Sequence, residues 1–181
     1  MGGAGTNLTM EGNSKYITAG VLTKPDAQGT YTLGPVTTIE FSNSNNATIQ
    51  DIRLGLSAEN PIAYNHIIIS GNNVGNTSLA STPITMQVGS TFKVLPGARF
   101  RHKNANGFSG ASNTCLTNAP AIALAPNSTI EYNRDNGTNQ NISIQQPYQH
   151  LVLSGSGNKT APAGVLAIEG NLSNSGTANF V

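Results

Sequence analysis

At 181 residues the chain is long enough to bury a core, yet only 9% of its residues are charged, well below the roughly 25% of average globular domains. More than two in five residues are Gly, Asn, Ser or Thr, so solubility rests on amides and hydroxyls. A formal net charge of +1 excludes a basic field for nucleic acid or anionic lipid, the single Cys115 excludes an internal disulfide and a multi-cysteine metal site, and no apolar run reaches the ~18 residues of a membrane helix.

Gly, Pro or Asn interrupts almost every ten-residue window, and the apolar runs are short and rich in β-branched residues, which predicts a β protein. In chain order, strands are expected at Lys15–Thr18, Thr30–Leu33, Thr38–Phe41, Ala47–Ile52, His66–Ile69, Ile84–Val88, Thr91–Val94, Ala121–Leu124, Thr129–Tyr132, Ile142–Ile144, His150–Leu153 and Val165–Ile168. Ser70-Gly71-Asn72, Pro96-Gly97 and Asn136-Gly137 read as turns between them. Gly107–Gly110 and Ser154–Gly157 also read as turns, because neither has the full spacing of a phosphate loop nor a helix to follow.

The chain repeats itself. Tyr31–Phe41 (YTLGPVTTIEF) lies over Ile122–Tyr132 (IALAPNSTIEY) without a gap, and Tyr64–Gly71 (YNHIIISG) lies over Tyr148–Gly155 (YQHLVLSG) in the same order. Asn7–Ile17 lies over Asn171–Val181, and Phe92 and Phe100 keep the spacing of Leu8/Tyr16 and Leu172/Phe180. These blocks divide one elongated repeat segment, 1–181, into units at about 8–91 and 92–171 and the start of a third at 172–181. Length differences fall in Arg101–Pro120 and between Phe41 and Tyr64, both rich in small and polar residues, where insertions disturb no strand register.

Many short strands with Asn and Gly at the corners predict an all-β, right-handed β-solenoid of stacked repeats, with tandem immunoglobulin-like sandwiches as the alternative. Ile39, Glu40, Phe41, Ile130, Glu131, Tyr132, Tyr64, His66, Tyr148 and His150 are then repeat positions that mark register. Since Asn171–Val181 begins a unit and stops, the segment is expected to be a piece of a longer protein, and any export signal to lie outside it, as Met1–Thr6 lacks the regions of a signal peptide.

The order Ser128-Thr-Ile-Glu-Tyr132, a Gln/Asn-rich spacer, Tyr148-Gln-His-Leu-Val-Leu-Ser-Gly-Ser-Gly-Asn-Lys-Thr160 and Ile168-Glu-Gly-Asn-Leu172 resembles the repeats of very large cell-surface proteins of Bacteroidetes. The match is close over Ile122–Val181 and looser over Tyr31–Val94. The resemblance implies secreted adhesins or filamentous surface proteins, exported by the type IX route and used in attachment or gliding. Lys159-Thr160 has no counterpart at Asn76-Thr77, and Arg101–Pro120 stands outside the pattern, so function particular to this chain could sit there.

Candidate chemistry is sparse. Glu40 and Glu131 would need to face each other across a sugar, roughly 5 to 10 Å apart, to act as a glycosidase pair; repeat-equivalent residues in stacked units are expected instead to be solvent-facing or turn-capping. The other acids are scattered, without the loop clusters that calcium takes. His66 and His150 share one repeat position and His102 stands alone, so no metal and no cofactor is expected. Cys115 reads as a small buried residue. Arg99, Arg101 and Lys103 form the one basic cluster, placed by alternation on the outer face of a strand, where a solvated face competes with a contact for acidic polysaccharide. The expected function is an extracellular or cell-surface structural and adhesive protein without enzymatic activity. Neighbouring repeats of the same or identical chains are its expected partners, and surface polysaccharide is a second candidate; nucleic acid and membrane insertion are not expected. A carbohydrate-binding module and a polysaccharide-degrading β-helix enzyme are the alternatives.

Overall fold

The computed structural model describes residues 7–19, 31–45, 47–52, 62–77, 82–111, 113–144 and 147–181. Among them the protein is all-β, with no helix. The strands in chain order are β1 (Leu8–Met10), β2 (Lys15–Thr18), β3 (Tyr31–Leu33), β4 (Thr38–Phe41), β5 (Gln50–Asp51), β6 (Tyr64–Ile69), β7 (Val74–Asn76) and β8 (Met86–Val94). They continue with β9 (Arg99–His102), β10 (Ala121–Leu124), β11 (Thr129–Tyr132), β12 (Gln140–Asn141), β13 (His150–Leu153), β14 (Ser156–Thr160), β15 (Leu172–Asn174) and β16 (Thr177–Phe180).

Every ladder between these strands is parallel, and each joins a strand to the next but one in sequence. Such pairing requires the chain to leave a sheet, cross another face and return alongside itself. Five strands form the order β10-β8-β6-β4-β2 and six form β15-β13-β11-β9-β7-β5, flanked by the smaller sheets β1-β3 and β12-β14-β16. The antiparallel pairing that an immunoglobulin-like sandwich requires is absent among the described residues.

Alternation decides which side chains enter the core. Ile39 and Phe41 of β4, Phe100 and His102 of β9, and Leu151 and Leu153 of β13 are buried, while their neighbours along each strand are half-buried. Parallel register then stacks like on like: Tyr16, Ile39, Ile67, Phe92 and Ile122 make one column, and Val74, Phe100, Ile130, Leu151 and Leu172 another. The buried apolar residues form one continuous cluster. Corners are built by turn chemistry: Pro96-Gly97 and Pro126-Asn127 each place a left-handed residue third in a four-residue turn (φ 74° and 62°), closed by Ala98 N–H to Leu95 O at 3.1 Å and Ser128 N–H to Ala125 O at 3.0 Å.

Several expected strands are corrected. Ala47–Ile52 shrinks to Gln50–Asp51, and Ile142–Ile144 gives way to Gln140–Asn141, because the pairing residue in each place is a buried glutamine. Ile84–Val88 and Thr91–Val94 merge into one strand, β8, from Met86 to Val94, with Ile84 left as a single bridge to Leu116; β8 absorbs Gly89 (φ 77°) where its register with β6 shifts between Tyr64 and His66. Val165–Ile168 is reduced to a single bridge from Ile168 to Tyr148, and Val165 is exposed. The Ser154–Gly157 turn is half strand: Ser156 and Gly157 open β14, where a Cβ on Gly157 would meet Thr138 O at 2.4 Å. In the expected strand Thr30–Leu33, Thr30 lies outside the described residues.

Candidate functional site

The two Thr-Ile-Glu-aromatic segments are β4 and β11, and each turns its glutamate away from the core onto a set of cross-strand partners. In β4, Lys15 of β2 pairs with Glu40 Oε2, and the Ser70 hydroxyl, just beyond β6, donates to Oε1 at 2.5 Å. In β11, Arg101 of β9 donates from Nε to Glu131 Oε2 at 2.8 Å, Arg99 approaches the same oxygen at 3.5 Å, and the Ser154 hydroxyl donates to Oε1 at 2.7 Å. The arrangement is one device used twice: a cation from the strand below, a carboxylate in the middle, and a serine from the turn above.

Register refines the comparison. Lys15 lies opposite Thr38 and Arg99 opposite Thr129, so these two cations are equivalent, whereas Arg101 faces Glu131 directly at the place where exposed Ile17 faces Glu40. Arg101 also reaches back through Nη1 to Asn73 Oδ1, tying four successive levels together. Although burial pushes the Glu40 carboxyl up, the hydrogen bonds from Lys15 and Ser70 and the Lys15 charge bring it below its ordinary range. Glu131 is not the solvent-facing residue expected from sequence; it is buried, because two arginines and a hydroxyl replace its water.

Two buried glutamines repeat the pattern inside. Gln50 accepts from Asn43 N–H at 3.1 Å and donates to Thr18 O at 2.9 Å; Gln140 accepts from Arg134 N–H at 3.1 Å and donates to His102 O at 3.0 Å and Asn104 O at 3.1 Å. Both have no exposed surface. Thr18 and His102 end the strands beneath Phe41 and Tyr132, so the two amides plug the same corner. The aromatic neighbours match as well: Phe41 meets Tyr64 edge-on at 6.2 Å and 69°, and Tyr132 meets Tyr148 at 6.3 Å and 69°. The second pair adds a hydroxyl contact of 2.7 Å, and burial raises the Tyr132 hydroxyl to about 12.

Arg99 and Arg101 are the half-buried positions of β9 and Lys103 follows one residue past its end, and their charges are directed at the protein's own carboxylates, with Lys103 on Asp135 at 2.7 Å. His102 is not alone beside them: it points inward, fully buried, between Phe100, Phe108 and Tyr132, and burial followed by the Lys159 charge pushes its pKa down to about 3. His66 bonds Thr91 Oγ1 at 2.9 Å and His150 accepts from Asn171 N–H at 3.0 Å, in two different sheets. Buried Cys115 accepts from the Asn76 amide at 3.7 Å, and its thiol is raised to about 12 by burial. Lys159 is fully buried on β14, donating to Arg134 O at 2.8 Å and Ser156 O at 3.2 Å.

Glu40 and Glu131 lie in different sheets, and both oxygens of each are occupied by protein donors. No group of three or more His, Cys, Asp or Glu side chains gathers at metal-binding spacing among the described residues. The sequence reading assigned no bonding role to Ser70, Ser154, Gln50 or Gln140, and it singled out Lys159 only as lacking a counterpart in the first copy. The serines were visible as the Ser-Gly closing each Tyr-x-His block, and the glutamines as Gln50-Asp-Ile52 and Gln140-Asn-Ile142, one such triplet in each polar spacer. No protein-family model matches the chain, and no curated protein or solved structure matches it.

Proposed function

We propose that this chain is a segment of a closed, right-handed β-solenoid that serves as a stiff, non-enzymatic structural and adhesive rod at the cell surface. The observation that carries the reading is the recurrence of one bonding set, cation–glutamate–serine outside and glutamine plug inside, at the two Thr-Ile-Glu-aromatic segments. These groups bond to neighbouring strands, so neither Glu40 nor Glu131 is aimed at open space, which supports a mechanical role over a hydrolytic one. A rod of parallel ladders resists bending because each level is hydrogen-bonded to the next along the axis. The likeness to Bacteroidetes surface repeats supports an extracellular setting, with further copies of such repeats as the natural partners.

Protease shaving of intact producing cells tests the location: release of the chain is the expected result, and its retention in the cytosolic fraction overturns the surface assignment. Force spectroscopy along the axis tests the rod. Unfolding in steps of one or two levels is expected, and a single all-at-once rupture without substeps contradicts it.

A further inference from the structure

Residues 103–120 join β9 to β10 and hold the extra length of the second copy. The described part of this segment is pinned to the core. Phe108, Cys115 and Leu116 are buried, Cys115 N–H bonds Gly107 O at 2.9 Å, Leu116 N–H bonds Phe108 O at 2.9 Å, and Thr117 N–H bonds Ile84 O at 3.1 Å. The Asn118 amide is fixed on Met86 O at 2.6 Å. Above this floor lies an open concavity of about 480 Å³, lined by Gly110, Ala111, Asn113, Thr117, Asn118 and Ala119.

Its lining is unusual in two respects. First, among the described residues every polar group that lines it is an amide, a hydroxyl or backbone, and no charged or aromatic side chain takes part. Second, Asn113, Asn118 and Ala119 all adopt left-handed backbone (φ 63°, 56° and 40°). Asparagine tolerates this conformation, but alanine does not readily, and strained residues of this kind persist where the surrounding bonds over-determine them. Here the pinned flanks hold Asn118 and Ala119 in place, so the rim is shaped before anything binds.

We propose that this concavity is a binding site for a neutral sugar. The Asn113 side-chain amide and the Asn118 Oδ1 match the donors and acceptors of sugar hydroxyls. The Thr117 hydroxyl, which accepts from Met86 N–H at 3.0 Å and donates to Ile84 O at 3.4 Å, and the Asn118 Nδ2 on Met86 O instead hold the rim. The absence of charge in the lining disfavours acidic or basic ligands, and small side chains leave room for about one or two rings in a pocket of ordinary ligand size. The site is separate from the Arg99–Lys103 face and independent of the rod reading, which stands or falls without it.

The test is a titration of the isotope-labelled full chain, followed by amide NMR shifts. The probes are glucose, galactose, mannose, N-acetylglucosamine and their β1,4-linked disaccharides. Saturable shifts at Asn113, Thr117, Asn118 and Ala119 with at least one probe are expected. Asn113→Gly, which keeps the left-handed backbone and removes the amide, should weaken that binding at least fivefold. Ala111→Tyr, at an exposed rim position, should block it and serves where the first variant perturbs the loop. Absence of saturable shifts with the whole panel, or shifts that survive both substitutions, overturns the proposal.

Discussion

Replacing Gln140 by leucine keeps the size of the side chain and deletes its polar end. The Arg134 N–H loses its acceptor, and the carbonyls of His102 and Asn104 each lose one donor while keeping the N–H groups of Asn133 and Gly107. Gln140 has no exposed surface, so water does not replace the lost bonds without opening the corner. An unsatisfied buried backbone group costs about 1–3 kcal/mol, and the two carbonyls keep some bonding elsewhere, so the expected loss is about 3–5 kcal/mol. Gln50→Leu strands the Asn43 N–H and takes one of several donors from the Thr18 carbonyl, which keeps the Ser42 N–H at 2.9 Å, and should cost about 2–4 kcal/mol. Urea unfolding of the full chain, followed by far-ultraviolet circular dichroism, gives the totals, and hydrogen exchange at the Arg134 amide reports the corner itself. A loss below about 1 kcal/mol for Gln140→Leu, or an Arg134 amide that stays as protected as in the parent, would refute the idea that these amides plug the corners.

The external clamps should rank by burial. A double-mutant cycle on Arg101 and Glu131 should return about 1–3 kcal/mol of coupling, against at most about 1 kcal/mol for Lys15 and Glu40, whose lysine is 43% exposed; equal couplings would contradict the ranking. Ile17→Arg places a second cation opposite Glu40, as Arg101 stands opposite Glu131, and should raise the urea midpoint by an amount that fades with added salt. His102 is held neutral in the fold down to about pH 3, whereas unfolded histidine protonates near pH 6.5. Its contribution is therefore complete above pH 6.5 and lost as pH falls toward 3, at up to about 1.4 kcal/mol per pH unit, and His102→Phe should flatten that part of the stability curve. Lys159 gives a second, alkaline window of the same sign: with a folded pKa of about 8 against 10.5 unfolded, the fold disfavours its charge, so stability should rise between pH 8 and 10.5, and Lys159→Met should remove the rise.

How much of this was legible in the sequence depends on which groups do the holding. Alternating apolar residues announced β4, β11 and β13, and Pro96-Gly97 announced its turn, because burial and turn chemistry act locally. The short polar strands were not legible. β5 and β12 are two residues each, and what places them is a glutamine whose partners lie far away in the chain, such as Gln50 on Thr18. β14 reads Ser-Gly-Asn-Lys-Thr, which no propensity scale favours; close backbone approach at Gly157 and the buried Lys159 amine hold it in the ladder. Likewise, the burial of Glu131 depended on two arginines one level below, a contact that spacing along the chain does not reveal.

The matched segments also explain why a repeat visible in sequence does not stack on itself. Each strand pairs with the next but one, so neighbours in a sheet are two strands apart in order. The equivalent strands, β4 with β11, β5 with β12 and β6 with β13, are seven apart. An odd step over a ladder that advances by two must change sheets, and so Ile39 stacks on Tyr16 and Ile67, while Ile130 stacks on Phe100 and Leu151. The breaks in the ladders obey the same step: among the described residues β3 does not pair with β5, nor β10 with β12. A clamp on one side in the first copy thus reappears on another side in the second. Reinforcement of this kind is distributed over two sheets instead of being aligned along a single face.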